Sequence, residues 1–376
     1  MTFVADLAGH LDSLTRSHRR RGLKPRAGLD FASNDYLGVA GAPPLVQAVQ
    51  DALARGVPIG SGGSRLLRGN HEEHERLEME AAEWVGAESA LFFSSGYAAN
   101  STLLSTLPQR GDLIVYDDLV HASMHEGLRL ARADTAPVRH NDMDAFDATI
   151  AAWRARGGRG RPWIAVESLY SMDGDQAPLA ELAQVAARYD AVLIVDEAHA
   201  TGVFGDGGRG LASALPRGGN LITVHTCGKA LGCEGALICA PALVRDFLIN
   251  RGRPFIFSTA PSPLMAAAVR AALRLVTDEP ERRTRLLALA AYAERKLAPL
   301  GATRSGSQIL PLILGDDART MAVAERLQAR GFDVRGIRPP TVPAGTARLR
   351  IAITLNIDEA AIDALAAALE EALECA

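Results

Sequence analysis

Through the middle of the chain, short apolar runs alternate with stretches of helical periodicity. Residues 90–93, 113–116, 163–166, 191–195, 221–224 and 235–239 are apolar at nearly every position, which predicts buried strands. Between them, 97–107, 120–131, 143–154 and 179–189 carry the spacing of helices. Strands buried on both faces and separated by helices imply a parallel or mostly parallel sheet. An α/β barrel shares this alternation, so periodicity alone leaves it open. After Pro254 the texture changes. Two long helices rich in Ala, Leu and Arg, at 261–277 and 279–298, precede a strand–helix–strand–helix tail at 308–314, 319–330, 348–353 and 359–375. The expected organisation is an N-terminal arm over 1–41, a large α/β domain over 42–255, and a smaller C-terminal α+β domain with its connecting helices over 256–376.

Composition narrows the class. At 376 residues, 48% hydrophobic and 22% charged, the chain has the makeup of an ordinary globular protein with more than one core. A formal net charge of −4 argues against nucleic acid or anionic membrane as a partner. The basic run of Arg16, Arg19, Arg20, Arg21, Lys24 and Arg26 has no interleaved aromatic residue and reads as a solvated or substrate-facing arm. No stretch reaches the roughly 18 apolar residues of a membrane span; the nearest is interrupted by Arg270 and Arg274. Cys227, Cys233, Cys239 and Cys375 form no CxxC pair, and the N-terminus, with Asp6 and Asp12, lacks the apolar core of a secretory signal. A reducing cytoplasm is the expected compartment.

Lysine usage points to chemistry. Of 40 basic residues only Lys24, Lys229 and Lys296 are lysines, and lysine alone of the two can lose its proton and act as a nucleophile. Lys24 and Lys296 lie among other charges and read as surface residues. Lys229 stands in Thr226-Cys227-Gly228-Lys229-Ala230-Leu231-Gly232, with no basic neighbour, just beyond a predicted strand.

Ligands of open parallel sheets gather beyond the carboxyl ends of the strands. The run 191–195 leads into Asp196-Glu197-Ala198-His199 there. A carboxylate at that point either caps the next helix or meets a cation such as a protonated pyridine nitrogen, an attraction of roughly 5 kcal/mol at about 3 Å and an effective dielectric near 20. Ser94-Ser95-Gly96-Tyr97 opens a helix after another strand, as an anion site or a plain serine cap. His121 follows a third strand and either stacks on a ring or is structural. Arg348 and Arg350 leave one face of a strand, where a guanidinium grips a carboxylate or simply faces solvent. No metal site is expected: His71-Glu72-Glu73-His74 lacks the HExxH spacing and reads as a solvated helix face. Gly228-Lys229-Ala230 lacks the rest of a P-loop, and Gly60-Ser61-Gly62-Gly63-Ser64 is no dinucleotide fingerprint.

Taken together, nearly the whole chain resembles the α-oxoamine synthases, aspartate-aminotransferase-type enzymes dependent on pyridoxal 5'-phosphate (PLP). The resemblance rests on Ser33-Asn34-Asp35-Tyr36-Leu37-Gly38, the glycine-rich 60–64 loop, His121-Ala122-Ser123, Ser171-Met172-Asp173-Gly174-Asp175, Asp196-Glu197-Ala198-His199 and Thr226-Cys227-Gly228-Lys229. The stretch Ile337-Arg338-Pro339-Pro340-Thr341-Val342-Pro343-Ala344-Gly345-Thr346-Ala347-Arg348-Leu349-Arg350 is similar to the branch that condenses L-alanine with a pimeloyl thioester on the way to biotin. The resemblance implies the fold type I PLP-dependent transferase fold and a homodimer with active sites at its interface. It also implies a set of roles. Lys229 holds PLP as a Schiff base and then shuttles a proton at the substrate Cα; Asp196 pairs with the pyridinium nitrogen, His199 with the ring phenolate oxygen, and His121 stacks on the ring. Gly96, Tyr97 and Thr226 serve the phosphate and its surroundings, with Ser171 nearby. Arg350, helped by Asn34, holds the alanine carboxylate, while Thr341 and Arg19 contact substrate. Leu231 and Glu234 depart from the family pattern beside the lysine, and the acyl donor, a CoA or acyl-carrier-protein thioester, stays open. A sister enzyme such as 2-amino-3-ketobutyrate CoA ligase is the nearest rival. A non-catalytic regulator with the same fold needs a DNA-binding domain for which roughly 40 residues before the first core helix are too few.

Overall fold

The apolar runs become a seven-stranded sheet: β1 (Ser89–Phe93), β2 (Leu113–Asp117), β3 (Asp134–Val138), β4 (Pro162–Glu167), β5 (Val192–Asp196), β6 (Leu221–Thr226) and β7 (Ala236–Ala240). The structure is a computed structural model and describes residues 2–216, 218 and 220–375. Strand order is β1-β7-β6-β5-β4-β2-β3, and β7 alone runs antiparallel to its neighbours. The open sheet excludes a barrel. It also brings the carboxyl ends of β1, β2, β4, β5 and β6 to one edge.

Both faces of the sheet are packed. Ile194, Ala165 and Val224 face the helices Gly96–Thr106 and Ala122–Leu130 through Leu103, Leu104, Met124 and Leu128. Leu193, Val195, Ile164 and Val166 face Met143–Ala155 and Leu179–Tyr189 through Phe146, Ile150, Leu182 and Val185. Because side chains alternate with a period of two, Glu167, Asp196 and Thr226 fall on the first of these faces. The apolar pattern does not predict β3. Its residues are mostly exposed and Pro137 interrupts its amides, as an edge strand allows.

The chain divides into two compact units at other points than expected. One holds 37–171 and 176–283; the other holds the residues through Tyr36, Met172–Asp175 and those from Thr284 onward. The helix Pro263–Asp278 packs against Pro43–Ala54 and Glu72–Val85, which keeps it in the large unit rather than beyond a boundary at 255. The N-terminal arm joins the smaller unit, where Leu29–Asp30 pairs in parallel with Phe332–Asp333. That unit also contains an antiparallel sheet of β8 (Ile309–Gly315), β9 (Arg335–Ile337) and β10 (Ala347–Ala352), ordered β9-β10-β8. Among the described residues no helix is long and apolar enough to cross a membrane.

The His71–His74 stretch is not a solvated face. His71 caps the helix Glu72–Val85, accepting from Glu73 N–H, while the buried His74 accepts from the His71 amide at Nδ1 and faces the Pro261 carbonyl at 2.8 Å with Nε2. Burial, with the Arg65 guanidinium nearby, pushes His74 down to about 4.

Candidate active site

Lys229 is carried on a closed loop after β6. The Cys227 amide donates to Gly235 O, the Cys233 amide to Cys227 O, and the Gly232 amide to Lys229 O, each at 2.8 Å. Gly232 has φ of 63°, and a Cβ there would meet the Ala40 nitrogen at 2.4 Å, so the turn requires glycine. The loop leaves Lys229 half-buried, its Nζ 2.9 Å from Nε2 of the buried His199. Lys24 and Lys296 are exposed, on Gln328 and Asp363.

Of the two parts the sequence allowed Asp196, the structure shows the local cap. Its Oδ1 accepts the Ala198 amide at 2.9 Å, a local cap, and its Oδ2 accepts from Asn100 Nδ2 at 2.6 Å. It is 3% exposed, at the end of β5. Glu197, fully buried, accepts from Ser168 Oγ and the amides of Leu211 and Ala212, which ties the following loop to the strand end.

Ser95 is the N-cap of Gly96–Thr106, its Oγ accepting from Ala98 N–H at 3.1 Å. Gly96 is packed so tightly on β6 that a Cβ would meet Thr226 Cγ2 at 2.6 Å. The helix N-terminus therefore lies against the Thr226 side chain, whose hydroxyl donates to Ala198 O at 3.3 Å, and Tyr97 beside it is half-exposed.

His121 begins the helix Ala122–Leu130 and keeps an exposed ring. Its Nδ1 edge is packed: Ser123 Oγ lies 2.8 Å away and the Ser123 amide donates at 3.2 Å. Desolvation, with Lys229 and His125 adding to it against the pull of Asp196, lowers its basicity. Ser171 is buried and its amide donates to Glu167 Oε2 at 3.2 Å.

In the smaller unit, Arg350 is buried on β10 with Nη2 3.0 Å from Asn34 Oδ1 and 3.2 Å from the Tyr36 hydroxyl. Arg348, also buried rather than solvent-facing, is paired with Asp173. Arg19 does not stand beside Thr341: its Nε pairs with Asp317 at 2.8 Å, and the arm arginine next to the Thr341 hydroxyl is Arg21, at 3.4 Å.

Two residues of the large unit escaped sequence reasoning. Asn100 is 2% exposed and joins Asp196 to Ser123. Glu167, 1% exposed, ends β4 in register with Asp196. Burial and the Asp196 charge raise it to about 8, although Lys229 and the amides of Ser171 and His121 oppose the shift. The signal that singles out Asp196, a carboxylate closing an apolar strand, applies equally to Glu167.

These residues fit PLP. A ring with a basic nitrogen, an aldehyde and a phosphate needs a carboxylate, an amine and an anion site at one sheet edge. Asp196, Lys229 and the Gly96–Thr226 cradle supply them.

Comparison with known proteins agrees with this chemistry. Residues 26–369 match the aminotransferase class I and II family. The 8-amino-7-oxononanoate synthase of Anaeromyxobacter dehalogenans is 43% identical over 98% of this chain and 95% of its own length. A serine palmitoyltransferase from S. paucimobilis, solved with a PLP adduct, superposes with a TM-score of 0.91 at 26% identity over 100% of this chain and 99% of its own. The 8-amino-7-oxononanoate synthase of Francisella tularensis has a TM-score of 0.77 at 25% identity, over 93% of this chain and 98% of its own. The chain belongs to the aminotransferase class I and II family and, within it, to the 8-amino-7-oxononanoate synthases.

Proposed function

We propose that the protein catalyses the decarboxylative condensation of L-alanine with a pimeloyl thioester, releasing CO2 and the free thiol, a step of biotin biosynthesis. The observation that carries this reading is the amine of Lys229 at the sheet edge, 2.9 Å from His199 and on the same edge as Asp196. Bound there, PLP supplies an electron sink for the pair left when a bond at the amino-acid Cα breaks.

The chain's own residues do the rest. Lys229 would hold the cofactor through its amine, and that amine would move the proton at the alanine Cα. Asp196 holds the ring nitrogen, His199 the ring oxygen, and His121 covers the ring face. The helix start at Gly96 and Tyr97, with Thr226, takes the phosphate, and Ser171 lies in the surrounding shell. Arg350, with Asn34 on its guanidinium, takes the alanine carboxylate by a charge-assisted pair. Thr341 serves the acyl substrate; Arg21, already on its hydroxyl, is favoured over Arg19 as the arm residue that joins it. The working form is a cytoplasmic homodimer.

The test is a product assay with L-alanine and, in turn, pimeloyl-CoA and the pimeloyl carrier-protein thioester. Turnover with alanine is expected, and Lys229→Arg lowers it by about a thousandfold or more. Selective use of glycine with a short acyl-CoA moves the chain to the sister activity. Sedimentation at twice the 39.8 kDa chain mass checks the dimer.

A further inference from the structure

We propose that Asn100 and Ser123 are positioning residues that join Asp196 and His121 into one hydrogen-bonded unit and fix His121 as its Nε2-protonated tautomer. The inference rests on the reading of Asp196 and His121 as the groups at the edge and face of the cofactor ring.

Only the nitrogen of an asparagine amide donates. Asn100 Nδ2 stands 2.6 Å from Asp196 Oδ2 and 3.0 Å from Ser123 Oγ, so both its protons are committed. The flipped amide would set its oxygen against a carboxylate oxygen. Ser123 Oγ, having accepted from Asn100, turns its own proton to His121 Nδ1 at 2.8 Å. The Ser123 amide donates to that same nitrogen at 3.2 Å. Two donors on Nδ1 leave it no proton to carry, and the neutral ring is protonated at Nε2.

The remaining atom of the amide argues that this is not merely packing. Asn100 Oδ1 is buried without a hydrogen-bond partner, a penalty that an apolar side chain would avoid. Asn100 and Ser123 are 2% and 0% exposed, so neither is held in place by solvent. Their spacing is set by the close approach of two helices at Gly127, where a Cβ would meet Leu104 Cβ at 2.8 Å and Asn100 O at 3.2 Å. The unit gives the ring-facing carboxylate a fixed direction. It also presents His121 with its lone pair turned inward and its N–H directed away from Ser123.

The experiment uses full-length protein labelled with 15N-histidine, with and without PLP, together with PLP affinity measured by visible absorbance. His121 should give the Nε2–H pattern in both states. Ser123→Ala, which leaves only the backbone amide on Nδ1, should shift the His121 nitrogen signals and raise the minor Nδ1–H fraction, and Ser123→Thr, which keeps the hydroxyl, should restore the original pattern. Asn100→Ala, which does not touch the imidazole, should move the His121 signals and weaken PLP binding by about tenfold or more. An Nδ1–H ring in the unmodified protein, or His121 signals unmoved by Ser123→Ala, overturns the proposal. The serine pair decides the matter alone should Asn100→Ala not fold. Failure of the unmodified protein to bind PLP would instead strike the functional reading, because the tautomer is also read without cofactor.

Discussion

Glu167 and Asp196 end adjacent strands on the same face, and two carboxylates in register cannot both carry charge cheaply. With Glu167 raised to about 8 by burial and by the neighbouring carboxylate, it holds its proton at neutral pH. Glu167→Gln should therefore keep the PLP spectrum and activity near pH 7. Above pH 8 the native side chain loses its proton, so activity of the native protein should fall there while the variant's holds; parallel pH–rate profiles check this. His74 titrates in the opposite sense. It is neutral in the fold, lowered from 6.5 to about 4, so its contribution to stability is complete above 6.5 and is lost as pH falls through about 4. The urea midpoint should drop across that window by the equivalent of up to about 3 kcal/mol, a slope that His74→Gln should flatten.

At the scale of elements, glycine sets how closely helices approach the sheet and one another. Gly96→Ala drives a methyl into the stiff, β-branched Thr226 and should raise the PLP dissociation constant by about tenfold or more. Gly127→Ala meets backbone of the neighbouring helix and should cost about 1–3 kcal/mol in urea unfolding. Most elements were legible because they are continuous in sequence and buried on a regular period. The helix Leu179–Tyr189 matches its expected bounds, and β1, β2, β4 and β5 differ by a residue or so. The failures have physical causes. β3 lies at an edge and has little to bury, and the first helix, Phe3–Arg16, buries no residue at all. Asp196 stood out as a carboxylate closing an apolar strand and Lys229 as an isolated lysine in an arginine-rich chain, whereas the role of His199 was legible only through the family resemblance. Asn100 did not, since a polar residue inside a helix gains its meaning only from what a second helix brings beside it.

For the molecule as a whole, the insertion Met172–Asp175 leaves the large unit and returns within four residues. It is held in the smaller unit by the Arg348–Asp173 pair, an Arg348 contact to Met172 O at 3.3 Å, and the fit of Gly174 (φ 72°), whose Cβ would meet Ile309 O at 2.3 Å. Asp173→Ala strands a buried guanidinium and should cost the smaller unit about 3 kcal/mol, read as faster amide exchange in 172–175 and β10.

The pairing of Leu29–Asp30 with Phe332–Asp333 bears on biosynthesis. At about 5–20 residues per second, a ribosome adds the partner of Leu29 some 15–60 s after Leu29 itself. The earliest-made segment must therefore wait, unpaired, while everything between is translated. The large unit, complete once Arg283 has emerged, is free to consolidate during that interval. Nascent chains stalled late enough for Arg283 to have cleared the ribosome, but before Phe332 is added, should then resist protease over 37–283 while remaining cleavable in the arm.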